Sequence, residues 1–359
     1  MTFNFKEASE KAARAVVAEM AANNGRVTPF DFNEDIRSGR TTIAEMIGTA
    51  DGAAAFLEKI TFDLAAGQQQ VPLLYKSIYA TQTDANFPLV MTEKTIGDVQ
   101  TVFLEKFEGG EISFGAVSQG EEVTVRMHTY ASGIEYDEDI AEYNQTWRVA
   151  AIGESFGRSY NQLMNHLHLS AITNATYGTP VAANAGTAAL LAAARNQKGY
   201  VNSAGTKVAG VAQAITGAID DPDTWNAVVQ VLPRGSVILH NSFDEIAIRS
   251  ALAQDVMVVG NTNVQGVANR RLSNAEFIAY DGEIVTVGAD VYEYEGIAQG
   301  EAYVLVPKQN FREYIKHDLR TDSGDGDLSR LVLSQVVGRT RRGLLAAVGG
   351  EFGAIKVGA

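Results

Sequence analysis

The run Gly-Glu-Ser-Phe-Gly at residues 153–157 is the part of the sequence best suited to covalent chemistry. It matches G-x-S-x-G, a pattern that in serine hydrolases forms a sharp strand-to-helix turn and exposes the serine as a nucleophile. Ser155 would be that nucleophile, with His240 or His317 as its base. The pattern has only three fixed positions, no oxyanion-forming HGG segment occurs, and alternating βα units are missing. Ser155 is therefore a candidate only if a strand, and not a helix, precedes it.

Histidine and aspartate spacings do not predict a metal site. His166 and His168 are two residues apart, so on a helix they point about 200° apart and cannot chelate one ion from one face. Asp322, Asp325 and Asp327 hint at a calcium loop, but their spacing differs from the EF-hand pattern, and no glutamate stands at its twelfth position. The sequence also lacks H-E-x-x-H and G-x-x-x-x-G-K-[ST]. No catalytic residue, cofactor or metal is predicted, and the chain is not expected to be an enzyme.

Composition and charge exclude further classes of function. The 359 residues include no cysteine, which excludes disulfides, thiol catalysis and cysteine-type zinc sites. No apolar run approaches the roughly 20 residues of a membrane span, and no secretory signal peptide begins the chain. The net charge of −14 repels DNA phosphates at long range. The one dense basic cluster, at residues 339–342, is predicted to lie in a strand or turn and to pair with carboxylates.

A long, charged hairpin is predicted over residues 99–130. Apolar and polar side chains alternate over residues 123–128, as in a half-buried strand, and residues 99–107 are rich in β-branched and aromatic types. Glycines and glutamates at residues 107–111 and 119–122 predict two breaks and a solvated, projecting tip. A lone hairpin is marginally stable in water. An extended one is expected to lie on something else, although an ordinary edge hairpin fits the same pattern.

A long amphipathic helix is predicted directly after the hairpin. Acidic residues 137–139 stand at its start, where the helix dipole favours negative charge. Apolar residues then recur at spacings of three and four as far as Ile172. A continuous helix of this extent is roughly 50 Å long, at about 1.5 Å per residue. Gly153 and Gly157 predict a bend or a close crossing with another element.

The remaining elements are shorter. Residues 1–70 predict Ala-rich helices with little large apolar surface, the last over 53–65, and are interpreted as an extended arm. Residues 73–75 and 78–79 are strand-like. Further helices are predicted at 187–194, 220–232 and 243–253, strands at 236–240, 276–279, 283–294, 302–306, 331–337 and 343–348, a hairpin turn at 281–282 and an acidic loop at 322–327.

The order of these parts resembles that of the major capsid proteins of tailed bacteriophages, which have the Hong Kong 97-type fold. Residues 123–139, VTVRMHTYASGIEYDED, are similar to the return strand of that family's E-loop leading into its spine helix. Residues 236–249, SVILHNSFDEIAIR, resemble its strand-then-helix element. Residues 300–308, GEAYVLVPK, together with residues 332–348, resemble its closing strands. The resemblance covers about residues 71–357 and rests on order and pattern.

The resemblance implies an α+β fold of the Hong Kong 97 type. Its parts would be an N-terminal arm, an extended β-hairpin E-loop, a long spine helix in the P domain and a mixed α/β A domain. The expected boundaries are 1–70 for the arm, 71–98 for strands joining it to the P domain, 99–132 for the E-loop, 133–180 for the P domain with the spine helix, 181–315 for the A domain, 316–345 for P-domain return strands and 346–359 for the C-terminal segment.

The resemblance also implies a capsid protein that self-assembles through pentamers and hexamers into an icosahedral shell enclosing a double-stranded DNA phage genome. Expected partners are copies of itself and separate scaffolding, portal and decoration proteins. DNA would be enclosed without sequence-specific binding, and no membrane is involved. The expected location is the virion, assembled in the host cytoplasm. The expected inter-subunit contact residues at the E-loop tip are Lys106, Phe107, Glu108, Gly109, Gly110, Glu111, Gln119, Glu121 and Glu122.

Two alternatives stay open at this point. An encapsulin-type nanocompartment shell has the same fold and holds an enzyme cargo in place of DNA. A serine hydrolase using Ser155 belongs to a different class of protein altogether. A continuous helix through Ser155 would exclude the hydrolase.

Overall fold

The computed structural model describes residues 14, 18, 50–100, 116–137, 140, 146–202, 206–253, 256–259, 262–265, 272, 274–287, 289–325 and 332–358. The helices of eight residues or more in these ranges are α1 (Ala50–Gln70), α2 (Thr146–Thr173), α3 (Thr187–Lys198), α4 (Pro222–Val231) and α5 (Glu245–Ala253). Two short 3-10 helices lie at Leu74–Ser77 and Ser242–Asp244. The strands are β1 (Ala80–Thr83), β2 (Val90–Gln100), β3 (Ala116–Arg126), β4 (His128–Asp137), β5 (Val181–Ala182), β6 (Tyr200–Val201), β7 (Lys207–Val208), β8 (Ala214–Thr216), β9 (Val237–His240), β10 (Val256–Val259), β11 (Thr262–Gln265), β12 (Glu276–Ala279), β13 (Gly282–Val287), β14 (Asp290–Glu295), β15 (Glu301–Leu305), β16 (Phe311–Asp325), β17 (Val332–Ala346) and β18 (Ala354–Gly358).

A six-stranded mixed sheet, in the order β12-β9-β15-β18-β8-β5, forms one body of the fold. All four residues of β9 are buried, as expected for a short apolar strand in the middle of a covered sheet. Helices α3, α4 and α5 supply the other half of this core, with Trp225 fully buried and its indole N–H donating to the carbonyl of Ile219 at 2.7 Å. Asp221 caps α4, and Asn241 caps the 3-10 turn that leads into α5.

A four-stranded sheet, in the order β1-β16-β17-β4, forms the second body together with α1 and α2. It joins strands that lie far apart in the chain, since β4 pairs with β17 about 200 residues later. The helices contribute Phe56, Ile60 and Val149 to a core that the strands complete with Tyr136 and Val336. The rings of Phe56 and Tyr136 meet edge to face at 5.3 Å, a favoured aromatic geometry. The α+β class predicted from the sequence is confirmed.

Two-stranded hairpins project from these bodies. β2 and β3 form one, and β13 and β14 form another. Within the described ranges neither hairpin pairs with a strand of the two larger sheets. Both ribbons therefore depend on contacts other than strand pairing for their stability.

The ends of α2 and the length and burial of α1 can be compared with the sequence prediction. α2 ends at Thr173, close to the predicted end at residue 172, and Ile140 is also helical, although residues 141–145 lie outside the described ranges. α1 is longer than the predicted 53–65. The expectation that it has little large apolar surface is wrong, because Phe56, Leu57 and Ile60 are buried.

The strand-like residues 73–75 form a 3-10 helix and its approach, not a strand. The reason lies in a distant side chain. Asn165 of α2 accepts a hydrogen bond from the backbone N–H of Leu74 at 2.9 Å and donates one to the carbonyl of Pro72 at 2.9 Å. These side-chain hydrogen bonds replace the backbone hydrogen bonds that a strand would make. The alternation of residue types in this segment therefore could not reveal the turn.

The predicted strand 283–294 is instead the β13–β14 hairpin, and the predicted hairpin turn at 281–282 is wrong. β12 pairs with β9, whereas β13 pairs with β14, so Asp281 and Gly282 join two different sheets. Asp281 accepts a hydrogen bond from the N–H of Ser242 at 2.7 Å, and Gly282 has a φ of 81°. The Asp-Gly pair therefore makes a corner, not a hairpin.

The predicted acidic loop and strand pair in residues 322–348 also differ from the structure. Residues 322–325 belong to β16, and β17 runs without a break from Val332 to Ala346. Residues 326–331 lie outside the described ranges. The Asp322 carboxylate pairs across the strands with the Arg339 guanidinium at 2.9 Å, which holds the acidic residue in the ladder.

Candidate assembly surfaces

The G-x-S-x-G run lies in the middle of α2, where α1 crosses it. A Cβ added to Gly157 would lie 2.0 Å from the carbonyl oxygen of Leu64, and one added to Gly67 would lie 2.0 Å from that of Glu154. A Cβ on Gly153 would lie 2.7 Å from that of Asp63. The glycines are therefore needed for a close helix crossing, the second of the two outcomes predicted for them.

The hydrolase interpretation is wrong. Ser155 is an exposed residue on a continuous helix, so no strand-to-helix turn presents its hydroxyl. His240, one proposed base, is fully buried in β9 with its Nδ1 2.7 Å from the carbonyl oxygen of Asn241. Among the described residues no group of three or more His, Asp or Glu side chains is arranged to hold a metal ion.

The predicted contact residues fall into two groups. Lys106, Phe107, Glu108, Gly109, Gly110 and Glu111 lie outside the described residues. Gln119, Glu121 and Glu122 lie within β3, so the second break predicted at 119–122 is wrong. Gln119 stands opposite Ile96 and Glu122 opposite Lys94, and register shifts on either side of Ile96 absorb the irregular sequence as bulges. The strand therefore continues past Gly120 toward the tip.

The base of the β2–β3 hairpin is fixed to the four-stranded sheet. Val125 and Met127 are buried against Tyr314 and Leu345. A Cβ on Gly343 of β17 would lie 2.8 Å from Val125 Cγ1, so the ribbon crosses β17 in close contact. The hairpin thus leaves the sheet in a defined direction.

A buried polar cluster joins α2, the 3-10 helix and the two long strands. The guanidinium of Arg342 donates to the carboxylate of Glu313 and to Tyr160, and it lies 3.1 Å from the carboxylate of Asp318. Glu313 also meets His168, with 3.0 Å between Nε2 and Oε1. Both Arg342 and Glu313 are almost completely buried. Removing either partner would leave the other as an uncompensated charge, which costs several kcal/mol.

His168 is the centre of the cluster's aromatic contacts. Its Nδ1 lies 2.6 Å from the carbonyl oxygen of Met164, and its ring stacks on Tyr75 with 3.5 Å between centroids. Since Nε2 faces Glu313, both ring nitrogens lie within hydrogen-bonding distance of oxygen atoms. The histidines at 166 and 168 do diverge as predicted, because the ring of His166 stacks on Tyr294 of β14 at 4.8 Å.

Electrostatics in the cluster favour the ionised carboxylate. Burial by itself would raise the pKa of Glu313, but the hydrogen bond and charge of His168 and the charge of Arg342 outweigh it, so the pKa lies below its usual range. Burial, followed by the nearby charge of Glu313, raises the pKa of Tyr75, so this phenol stays neutral. Glu313 and Arg342 thus form a buried ion pair within this cluster.

A groove of 1310 Å³ opens beside this cluster. Its walls are α1 and α2 on one side and the middle of β16 on the other, and Arg342 and Glu313 contribute to its lining. Asn161 bridges the helices there, donating at 2.7 Å to the carbonyls of both Gln68 and Val71. The groove is therefore a rigid surface feature with mixed charge.

One surface of the four-stranded sheet is strongly basic. Along β17, Val337, Arg339 and Arg341 alternate with the buried residues Val336, Gly338, Thr340 and Arg342, so the three share the outer face of the strand. Arg320 of β16 stands directly opposite Arg339. We call Lys316, Arg320, Val337, Arg339 and Arg341 the cationic face.

The partners of the basic residues 339–342 were predicted in part. Arg339 pairs with Asp322, and Arg342 pairs with Glu313, which confirms the expected pairing with carboxylates. Arg341 instead donates from Nε to the hydroxyl of Thr129 at 2.8 Å. The sequence did not reveal the buried cluster, because Glu313 lies in an apolar strand and its partners are 29 and 145 residues away.

Several solved structures are similar to this chain at low sequence identity. No protein-family profile matches the chain, and no curated protein matches it. The capsid of cyanophage P-SCSP1u is similar with 13% identity and a TM-score of 0.42, over 80% of this chain and 88% of that one. The mature capsid of bacteriophage PhiM1 shows 12% identity and a TM-score of 0.45, over 79% of this chain and 86% of that one. A virus-like particle from Pyrococcus furiosus shows 8% identity and a TM-score of 0.47, over 84% of this chain and 98% of that one. At values this low, these likenesses carry no argument about function.

No helix within the described ranges combines the length and the apolar character required to cross a membrane.

Proposed function

We propose that this chain is a major capsid protein of the tailed-phage type, which assembles through pentamers and hexamers into an icosahedral shell around double-stranded DNA. The observation that supports it most is the β2–β3 hairpin. Each of its strands has 11 residues, or roughly 35 Å at about 3.3 Å per residue. Within the described residues it pairs with no third strand. Because such a ribbon is marginal in water, a second molecule is expected to cover it.

The rest of the architecture supports the same proposal. In this interpretation, of the Hong Kong 97 type, α2 and the four-stranded sheet form the P domain, and the six-stranded sheet with α3, α4 and α5 forms the A domain. The β2–β3 hairpin is the E-loop, and residues 1–70 are the arm. The boundaries expected from the sequence are kept as part of the proposal.

Assembly would rest on many modest contacts. The tip residues Lys106 to Glu111, together with Gln119, Glu121 and Glu122, are proposed to meet a neighbouring subunit. Charged side chains at such a tip set register and specificity more than affinity. Several weak contacts for each subunit give a stable shell through multivalency.

The proposal extends to location and partners. The shell would belong to a virion assembled in the host cytoplasm, with separate scaffolding, portal and decoration proteins. The net charge of −14 supports a wall that encloses DNA without binding it in a sequence-specific way. The role is structural and not enzymatic.

A shortened hairpin tests the proposal. Ile96 and Gln119 already stand opposite each other, so residues 97–118 can be replaced by the two-residue turn Asn-Gly. The buried base formed by Val125 and Met127 stays intact. We expect the shortened chain to be soluble and to unfold at the same denaturant concentration as the wild type, but to form no shells in negative-stain micrographs.

Two results would contradict the proposal. Normal shells from the shortened chain would show that the hairpin is not an assembly element. A wild-type chain that stays monomeric when expressed with its scaffolding protein would remove the shell function itself. The content of purified shells then separates a phage capsid, which holds DNA, from a nanocompartment, which holds a protein cargo.

A further inference from the structure

The β13–β14 hairpin exposes an unusual amount of apolar surface. Ile284, Val291 and Tyr292 are 69%, 65% and 52% exposed. Ile284 stands opposite Glu293, and Thr286 opposite Val291, so Ile284 and Val291 are diagonal neighbours on one face of the ribbon. A contiguous apolar patch on a projecting ribbon is typical of a contact surface.

The base of this hairpin is held firmly on α2. The ring of Tyr294 stacks on His166 with 4.8 Å between centroids, and the side chain of Gln162 donates to the carboxylate of Glu283. Tyr294 and Glu283 stand opposite each other at the start of the ribbon. The anchored base therefore presents the outer part of the ribbon in a fixed orientation, which lowers the entropic cost of docking.

The hairpin is also uniformly acidic. The sequence from Leu272 to Pro307 contains no lysine, arginine or histidine. It contains seven carboxylates, namely Glu276, Asp281, Glu283, Asp290, Glu293, Glu295 and Glu301. A partner surface that covers this ribbon must therefore offer positive charge beside an apolar side chain.

The cationic face of the same chain has this chemistry. Arg320 and Arg339 stand directly opposite each other, an arrangement of like charges that destabilises a sheet unless an anion compensates it. Asp322 compensates Arg339 at 2.9 Å, but no carboxylate among the described residues lies within ion-pair distance of Arg320. Val337, 41% exposed, supplies an apolar centre beside the arginines.

We propose that the β13–β14 hairpin of one copy docks on the cationic face of a second copy. Glu293 and Glu295, which share a face of the ribbon with Ile284 and Val291, would pair with Arg320 and Arg339, while Ile284 and Val291 cover Val337. The two surfaces are different, so the contact is heterologous, the kind of contact from which rings such as the proposed pentamers and hexamers are built. The inference rests on the proposed shell function and assigns one of its subunit contacts.

Charge reversal tests each side of the contact. One chain carries Glu293→Lys and Glu295→Lys, and the other carries Arg320→Glu and Arg339→Glu. All four side chains are exposed, so each variant should stay folded, with only the surface pair of Arg339 and Asp322 lost in the second chain. For each reversed chain on its own, the assembled fraction measured by sedimentation velocity should fall at least ten-fold. The controls Asp220→Lys and Arg195→Glu each reverse one charge of the matching sign at an exposed site on another element and should assemble normally.

Mixing the two reversed chains shows whether the hairpin docks on the cationic face of its own chain or on that of a second copy. In a 1:1 mixture every contact between unlike copies joins opposite charges, so rings with an even number of copies should form although neither chain assembles alone. A chain carrying all four changes should also assemble. Assembly by both singly reversed chains, or rescue only by the four-fold variant, would overturn the proposal. Failure of the wild-type chain to form any shell would instead refute the proposed function.

Discussion

Replacing Gly157 by alanine sets helix propensity against packing. Alanine stabilises a helix interior by about 1 kcal/mol relative to glycine. However, the new Cβ would lie 2.0 Å from the backbone oxygen of Leu64, which is about 1.4 Å shorter than the 3.4 Å of ordinary contact. The obstacle is backbone, so α1 and α2 must separate. Overpacking of this kind costs about 3 kcal/mol.

The net expectation is a loss of about 2 kcal/mol in the free energy of unfolding, measured by urea denaturation with matched m-values. Ser155→Ala is the matched control, because Ser155 is exposed on the same helix two residues away. It should leave the chain slightly more stable and should change no esterase activity. A neutral or stabilising Gly157→Ala would refute the close crossing and with it the structural explanation of the G-x-S-x-G run.

Two further changes probe the buried cluster and a helix cap. Glu313→Gln should cost about 3 kcal/mol at pH 7, because Arg342 loses its buried counterion. The lowered pKa of Glu313 means that its stabilisation is present above the usual carboxyl pKa and is lost as the pH falls through the folded value, so the difference between variant and wild type should shrink in acid. Asp221→Ala, which removes the acceptor 3.0 Å from the N–H of Asp223, should cost about 1 kcal/mol by the same urea assay. An unchanged midpoint in either variant contradicts the contact it removes.

Local signals predicted the parts of the fold in which a side chain acts on its own neighbourhood. The helices predicted at 220–232 and 243–253 correspond to α4 and to the 3-10 turn with α5, because their caps, Asp221 and Asn241, act within three residues. The apolar repeat of α2 and the period-two strand at residues 123–128 were predicted for the same reason. Of the candidate contact residues, Gln119, Glu121 and Glu122 lie on β3 of the predicted hairpin. Residues 106–111 lie outside the described residues, and the contact role of the whole set stays a prediction.

Features that depend on distant partners were missed. β17 looked like two strands because Gly338 and the basic run resemble a turn, yet a Cβ at Gly338 would lie 2.6 Å from the ring of Phe156. That glycine is required by a helix almost 200 residues earlier, and no local pattern shows it. The length of α1 was underestimated similarly, because its apolar face is defined by α2 and β17.

The pairing of β4 with β17 has a consequence for biosynthesis. Glu135 is synthesised 200 residues before its partner Gln335, and in the interval β4 lacks the neighbouring strand β17. Folding dominated by such distant pairings is slow and leaves intermediates prone to aggregation. Cellular chaperones are thus expected to hold the nascent polypeptide until translation has passed β17.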